Sequence, residues 1–90
     1  MLSENKIHKA GRVDQIVRDY FTEHPQVDEI SAKELMSLFI EKGIFKSNHR
    51  DGLPIRNFLR ELDAENKTNL LKHLKVERKV ANRNWYFIRK

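Results

Sequence analysis

Apolar residues along this chain recur three times at helical spacing and then change to alternation. Val13, Ile16, Val17, Tyr20 and Phe21 fall at i, i+3, i+4, i+7 and i+8, the spacing that lines one face of an α-helix. Helix one is therefore expected from Val13, stopping before Pro25, because proline pushes the preceding His24 out of the helical region. Met1 to Ala10 is polar and unpatterned. Residues 1–11 are expected to form a flexible N-terminal arm ahead of a single domain over 12–90.

After the loop Pro25 to Glu29, three start signals coincide. Ser31 and Glu34 have the spacing of a capping box, and Ile30 and Leu35 that of a hydrophobic staple. Helix two should run from there through Leu35, Met36, Leu38, Phe39 and Ile40 to Gly43, a residue suited to the left-handed C′ position, with Ile44 or Phe45 closing over the last turn. The polar segment Lys46 to Gly52 reads as a loop. Pro54 then fits a first helical turn, and Ile55, Phe58, Leu59 and Leu62 form the stripe of an amphipathic helix three. Its opposite face carries Arg56, Asn57, Arg60 and Glu61.

From Leu70 the period is mixed. A short turn around Leu70 and Leu71 is expected, then a strand from about Leu74 to Val80, where apolar and charged residues alternate. A turn at Ala81 to Asn84 leads to a second strand from Asn84 to Arg89. It presents Trp85 and Phe87 on one face, Tyr86 and Ile88 on the other. The fold class is thus mainly α with a small antiparallel β-hairpin. Trp85 and Phe87 are expected to cover the helical core.

Composition narrows the chemistry. The chain has 90 residues, 34% charged and 39% hydrophobic, without cysteine, so disulfides, thiolate nucleophiles and cysteine-based zinc sites are excluded. With no apolar run long enough for a membrane span and no signal-peptide pattern, a cytoplasmic protein without membrane association is expected. Net charge is +5, and it is unevenly placed. From Lys67 onward there are eight lysines and arginines against the single Glu77, whereas the preceding residues hold ten basic and twelve acidic side chains. A localised excess of this sort attracts polyanions, nucleic acid above all.

Three helices followed by a two-stranded hairpin resemble a winged helix-turn-helix domain over roughly Val13 to Ile88. The resemblance is carried by ISAKELMSLFIEKG as the second helix, LPIRNFLREL in the recognition position and LKVERKVANRNWYFI as the wing. The loop GIFKSNHRDG is longer than the usual turn of that family, and the wing has no glycine at its tip. The resemblance implies a small module that binds duplex DNA, of the kind found in transcriptional or mobile-element regulators.

The residues themselves support that expectation. Arg56 and Arg60 lie one helical turn apart beside Asn57, and arginine forks and asparagine amides match base edges in a major groove. Lys75, Arg78, Lys79 and Arg83 in the hairpin are suited to phosphate contacts. Two other readings use the same residues. A protein-interaction or adaptor module, homodimeric or with another partner, would use Tyr86 and Ile88, and an RNA or single-strand binder would stack bases on the aromatic hairpin.

Nothing in the sequence points to catalysis, a metal or a cofactor. His8, His24, His49 and His73 fall in separate segments without i, i+3 or i, i+4 pairing, and His49 near Asp51 is the only local pair. The three glycines are isolated, so no phosphate-binding glycine loop is present. Ser31 is accounted for by capping.

Overall fold

Helix α1 (Glu4–Glu23) opens the computed structural model, which describes residues 4–46, 52–78 and 83–89. Strand β1 (Glu29–Ser31), a 3-10 turn (Ala32–Leu35) and α2 (Met36–Glu41) follow; then come α3 (Leu53–Ala64), a second 3-10 turn (Thr68–Leu70), β2 (Leu74–Arg78) and β3 (Arg83–Ile88). The architecture is mostly helical with a three-stranded antiparallel sheet in the order β1-β3-β2.

The stripe predicted for helix one is buried at Val13, Ile16, Val17 and Phe21, and it extends one turn further back to Ala10, which is fully buried. Among the described residues helix one therefore starts at Glu4, ahead of the Val13 expected from the apolar stripe. Glu4 to Ala10 is helical because its residues favour helix and Ala10 anchors the turn in the core. At the other end α1 stops at Glu23, ahead of Pro25.

The expected helix two is divided. Ser31 caps it as anticipated, its amide donating to Glu34 Oε2 at 3.3 Å. The first turn is 3-10 rather than α, which stacks Ala32 and Leu35 in line and buries both. After Met36 and Phe39 the helix closes in a Schellman motif. Gly43 sits at φ 79°, its amide donates to the Ile40 carbonyl at 3.0 Å, and the Ile44 amide donates to the Phe39 carbonyl at 2.8 Å.

α3 follows its sequence pattern closely. Ile55, Phe58, Leu59 and Leu62 are buried, each contributing on the order of 1.5–3 kcal/mol. Gly52, at φ 92°, caps it and lies so close to the first 3-10 turn that a Cβ there would stand 2.5 Å from Lys33 Cβ. No helix of the described residues is long and apolar enough to cross a membrane.

Strand β1 is the element that sequence pattern does not announce. It pairs with β3 at Glu29↔Ile88, Ile30↔Phe87 and Ser31↔Tyr86, while β2 pairs on the other side from Leu74↔Phe87 to Arg78↔Arg83. The inner face of the sheet collects Ile30, Leu74, Val76, Trp85 and Phe87. Phe87 meets Phe39 edge-to-face with ring centroids 6.2 Å apart, so α2 and the central strand share one aromatic contact. Arg83, expected in the turn, is instead the first residue of β3, opposite Arg78. The expected turn at Ala81 and Asn82 and the predicted end of the first strand at Val80 lie outside the described residues.

Arg89 stitches this sheet to α1. Its guanidinium donates to the carbonyls of Phe21 at 2.8 Å, His24 at 2.6 Å and Val27 at 2.6 Å, and lies over the Phe21 ring. These are carbonyls at the end of α1 and just beyond it, where a cation also complements the helix dipole.

Candidate nucleic-acid interface

Arg56, Arg60 and Asp63 follow at i, i+4 and i+7 along α3, so they run down one side of the helix. Arg56 and Asp63 are half-buried at the flank that faces the hairpin, whereas Asn57 and Arg60 are exposed. Arg60 Nη1 is 3.5 Å from Asn57 Oδ1, a long contact that leaves both groups accessible.

The predicted phosphate-contacting residues do not form one stripe. Arg78 and Arg83 share the inner face of the hairpin with Trp85, and both reach α3. Two guanidinium groups facing each other across a strand pair repel, and Asp63 lies between them. Arg78 donates to its carboxylate in a fork, 2.8 Å to Oδ1 and 3.1 Å to Oδ2, while Arg83 Nη1 stands 3.4 Å from Oδ2. The hydrogen bond from Arg78 holds the Asp63 carboxyl below its ordinary value of 3.8; partial burial opposes this, and the charges of Arg78 and Arg83 reinforce it.

Lys75 belongs to the opposite face. It pairs with Glu29 of β1 at 3.0 Å, an ion pair that spans the central strand, with its Nζ 6.0 Å from the Tyr86 ring. Glu29 raises the Lys75 ammonium above its ordinary 10.5, first by the hydrogen bond and then by its charge. Tyr86 and Ile88, the residues predicted for protein contact, are half-buried on this outer face, where Lys75 and Glu29 are their cross-strand neighbours. Lys79 lies outside the described residues.

β1 ends opposite Tyr86, so the first residues of β3 have a strand neighbour only on the β2 side. A cavity of about 340 Å³ opens there, lined by Lys33, Arg56, Arg83, Asn84 and Trp85 among others, and none of its described lining residues is acidic. Arg56 Nε is enclosed at this place. Trp85 is 4% exposed, and its indole Nε1 is shielded without an acceptor among the described residues. Leaving a buried donor unsatisfied costs about 1–3 kcal/mol.

The structure thus brings Arg56 and Arg83 together, leaves Asn57 and Arg60 beside them on the open side of α3, and sends Lys75 elsewhere. Lys33 and Asp63 are the parts of this arrangement that sequence reasoning did not assign. Asp63 carries a signal, since it repeats the Arg56 position two turns on. Lys33 carries none, because its place depends on the approach of Gly52.

Elsewhere His24 and His73 serve packing. His24 stacks on Tyr20 at 4.3 Å, and His73 Nδ1 donates to the Ile88 carbonyl at 3.0 Å; His49 lies outside the described residues. Among the described residues no group of three His, Asp or Glu side chains is disposed to hold a metal ion. No family model matches the sequence, and no curated protein or solved structure matches it at a significant level.

Proposed function

We propose that this chain is a small winged-helix-like module of the cytoplasm that binds duplex DNA and acts by binding rather than by catalysis. The observation that carries the reading is that Arg56 of α3 and Arg83 of β3 line one cleft, with Asn57 and Arg60 exposed alongside. A helix with exposed arginine and asparagine side chains beside a cationic hairpin has the two parts a duplex reader needs, one for base edges and one for the phosphate backbone. In this scheme Asn57 and Arg60 enter the major groove, and Arg56 and Arg83 meet phosphates at its rim. Arg78 acts with Asp63 as the brace that sets the hairpin against the helix.

Fluorescence anisotropy with a labelled duplex tests the proposal. Binding at low salt that weakens steeply as salt rises is expected, because neutralised phosphates release counterions. Absence of duplex binding at low salt ends it, and preference for a single strand of the same composition replaces it with the single-strand reading.

A further inference from the structure

We propose that the outer edge of β2 is a self-association surface, on which a second copy of this chain pairs its own β2 antiparallel across a two-fold axis at Val76, doubling the three-stranded sheet. The register shows which backbone groups are available. The Ile88 amide donates to the His73 carbonyl and the Arg89 amide to the Asp28 carbonyl, both at 2.8 Å, so alternate residues of β3 serve its two neighbours. His73, Lys75 and Glu77 therefore turn their backbone groups to β3, while Leu74, Val76 and Arg78 turn theirs to the edge. The Leu74 amide is taken by the Leu71 carbonyl at 3.3 Å; the N–H and C=O of Val76 and Arg78 have no backbone partner among the described residues.

The opposite edge of the sheet is closed. β1 has three residues, and the Ser31 amide on its outer side is held by Glu34 Oε2 at 3.3 Å. One edge is thus covered and the other is a template for a further strand.

Charge selects a second copy and sets its register. On the outer face β2 carries Lys75 and then Glu77. With the axis at Val76, Lys75 of each copy stands opposite Glu77 of the other, the two Val76 residues exchange both backbone hydrogen bonds, and the Arg78 amide of each reaches the Leu74 carbonyl of the other. An axis at Lys75, Glu77 or Arg78 sets like charges face to face instead. Lys75 already pairs with Glu29, and Glu77 accepts from Asn84 Nδ2 at 3.2 Å. The Lys75–Glu29 pair is exposed and of small net value, so Lys75 can exchange it, and a carboxylate has more acceptor sites than one donor fills.

A groove of about 370 Å³ adjoins the same edge, lined by Thr68, Asn69, Leu71, Lys72, Leu74 and Val76. Leu74 and Val76 are only half-buried there, on the inner face, where Val76 of the second copy would stand. The strand that pairs with the backbone therefore also covers apolar surface. The contact is small, so the dimer is weak and dissociates on dilution.

Sedimentation equilibrium of the full chain without nucleic acid should show monomer and dimer in exchange. Amide hydrogen exchange should slow at Val76 and Arg78 as concentration rises. Glu77→Lys and Lys75→Glu should each weaken the dimer roughly tenfold, because both cross-axis pairs become like-charged, and the double variant should restore it. Both side chains are exposed, and circular dichroism checks that the variants keep the fold. A chain that stays monomeric at millimolar concentration overturns the proposal. So does a dimer in which Val76 and Arg78 exchange as fast as in the monomer, which places the contact elsewhere, for example on Tyr86 and Ile88, and so does a double variant no tighter than the single ones. The edge does not depend on duplex binding: a strictly monomeric chain that binds a duplex rejects the pairing and leaves the DNA reading intact.

Discussion

Asp63 on α3 and Arg78 on β2 are joined by two hydrogen bonds, 2.8 Å and 3.1 Å long, and this fork ties the hairpin to the helix. The same carboxylate separates Arg78 from Arg83, which face each other across the strand pair. One acidic residue therefore does two opposed things. It secures the cationic hairpin and it competes with any anion that the hairpin would bind.

Asp63→Asn separates those roles. The variant should unfold at lower urea than the parent, because two guanidinium groups lose their shared counter-charge. It should also bind a duplex several-fold more tightly at low salt, since removing a negative charge beside the phosphate path strengthens attraction by on the order of one contact. Urea denaturation and anisotropy titration read the two effects independently.

The pH dependence has a definite sign. Asp63 is held below 3.8 in the folded protein, mainly by the hydrogen bond from Arg78, so the unfolded chain takes up its proton first as pH falls. Its contribution is complete above the ordinary carboxylate range and is lost as pH drops through the lowered value. The stability gap between the parent and Asp63→Asn should accordingly be constant from pH 5 to pH 7, by roughly the range over which neither state titrates, and narrow below about 4.

Arg89→Ala should lower stability by about 2–3 kcal/mol, because the carbonyls of Phe21, His24 and Val27 lose a charged donor and Phe21 loses the group above its ring. Arg89→Lys should recover only part of this, since an ammonium cannot span three acceptors as a planar fork does. Thermal unfolding followed by circular dichroism ranks the three proteins.

The two described glycines with positive φ should differ in their tolerance of alanine. Gly43 at φ 79° has open space around its missing Cβ, so Gly43→Ala should cost about 1 kcal/mol from backbone strain alone. Gly52 at φ 92° has Lys33 Cβ 2.5 Å from the position a Cβ would take, so Gly52→Ala should cost more, and it should displace Lys33 as well. Denaturant midpoints order the pair, with the reverse order excluding the close approach.

For duplex binding, Arg83→Ala should flatten the dependence of log affinity on log salt by about one unit, and Arg60→Ala should reduce discrimination between duplex sequences by about 1–3 kcal/mol at the affected base pair. Arg60 is exposed on α3, so its loss should leave the unfolding midpoint where it was.

What could be read ahead of the structure was what depends on neighbours in sequence. The stripe Ile55, Phe58, Leu59 and Leu62, the Ser31–Glu34 cap, the Gly43 terminus and the inward pair Trp85 and Phe87 all follow from local spacing. β1 was hidden because three residues, Glu29 to Ser31, show no alternation long enough to detect, and they become a strand only through the exposed edge of β3. The division of the basic residues was half legible. Parity along a strand separates Lys75 from Arg78, but that Arg78 and Arg83 turn toward α3 required the pairing register and the position of Asp63. Arg89 carries no local signal, because its capping of α1 depends on contacts more than sixty residues apart in the chain.

The strand order also has a consequence for synthesis. β3 is the middle strand of the sheet and the last of the three to leave the ribosome. Until it is made, β1 and β2 have no common partner, and Phe39 lacks the ring of Phe87 that covers it. The helices can form as they emerge, yet the sheet assembles only once β3 has been made. A nascent chain halted before Trp85 would thus yield a product with no sheet and an uncovered apolar surface, a target for chaperones and proteases rather than a shortened working module.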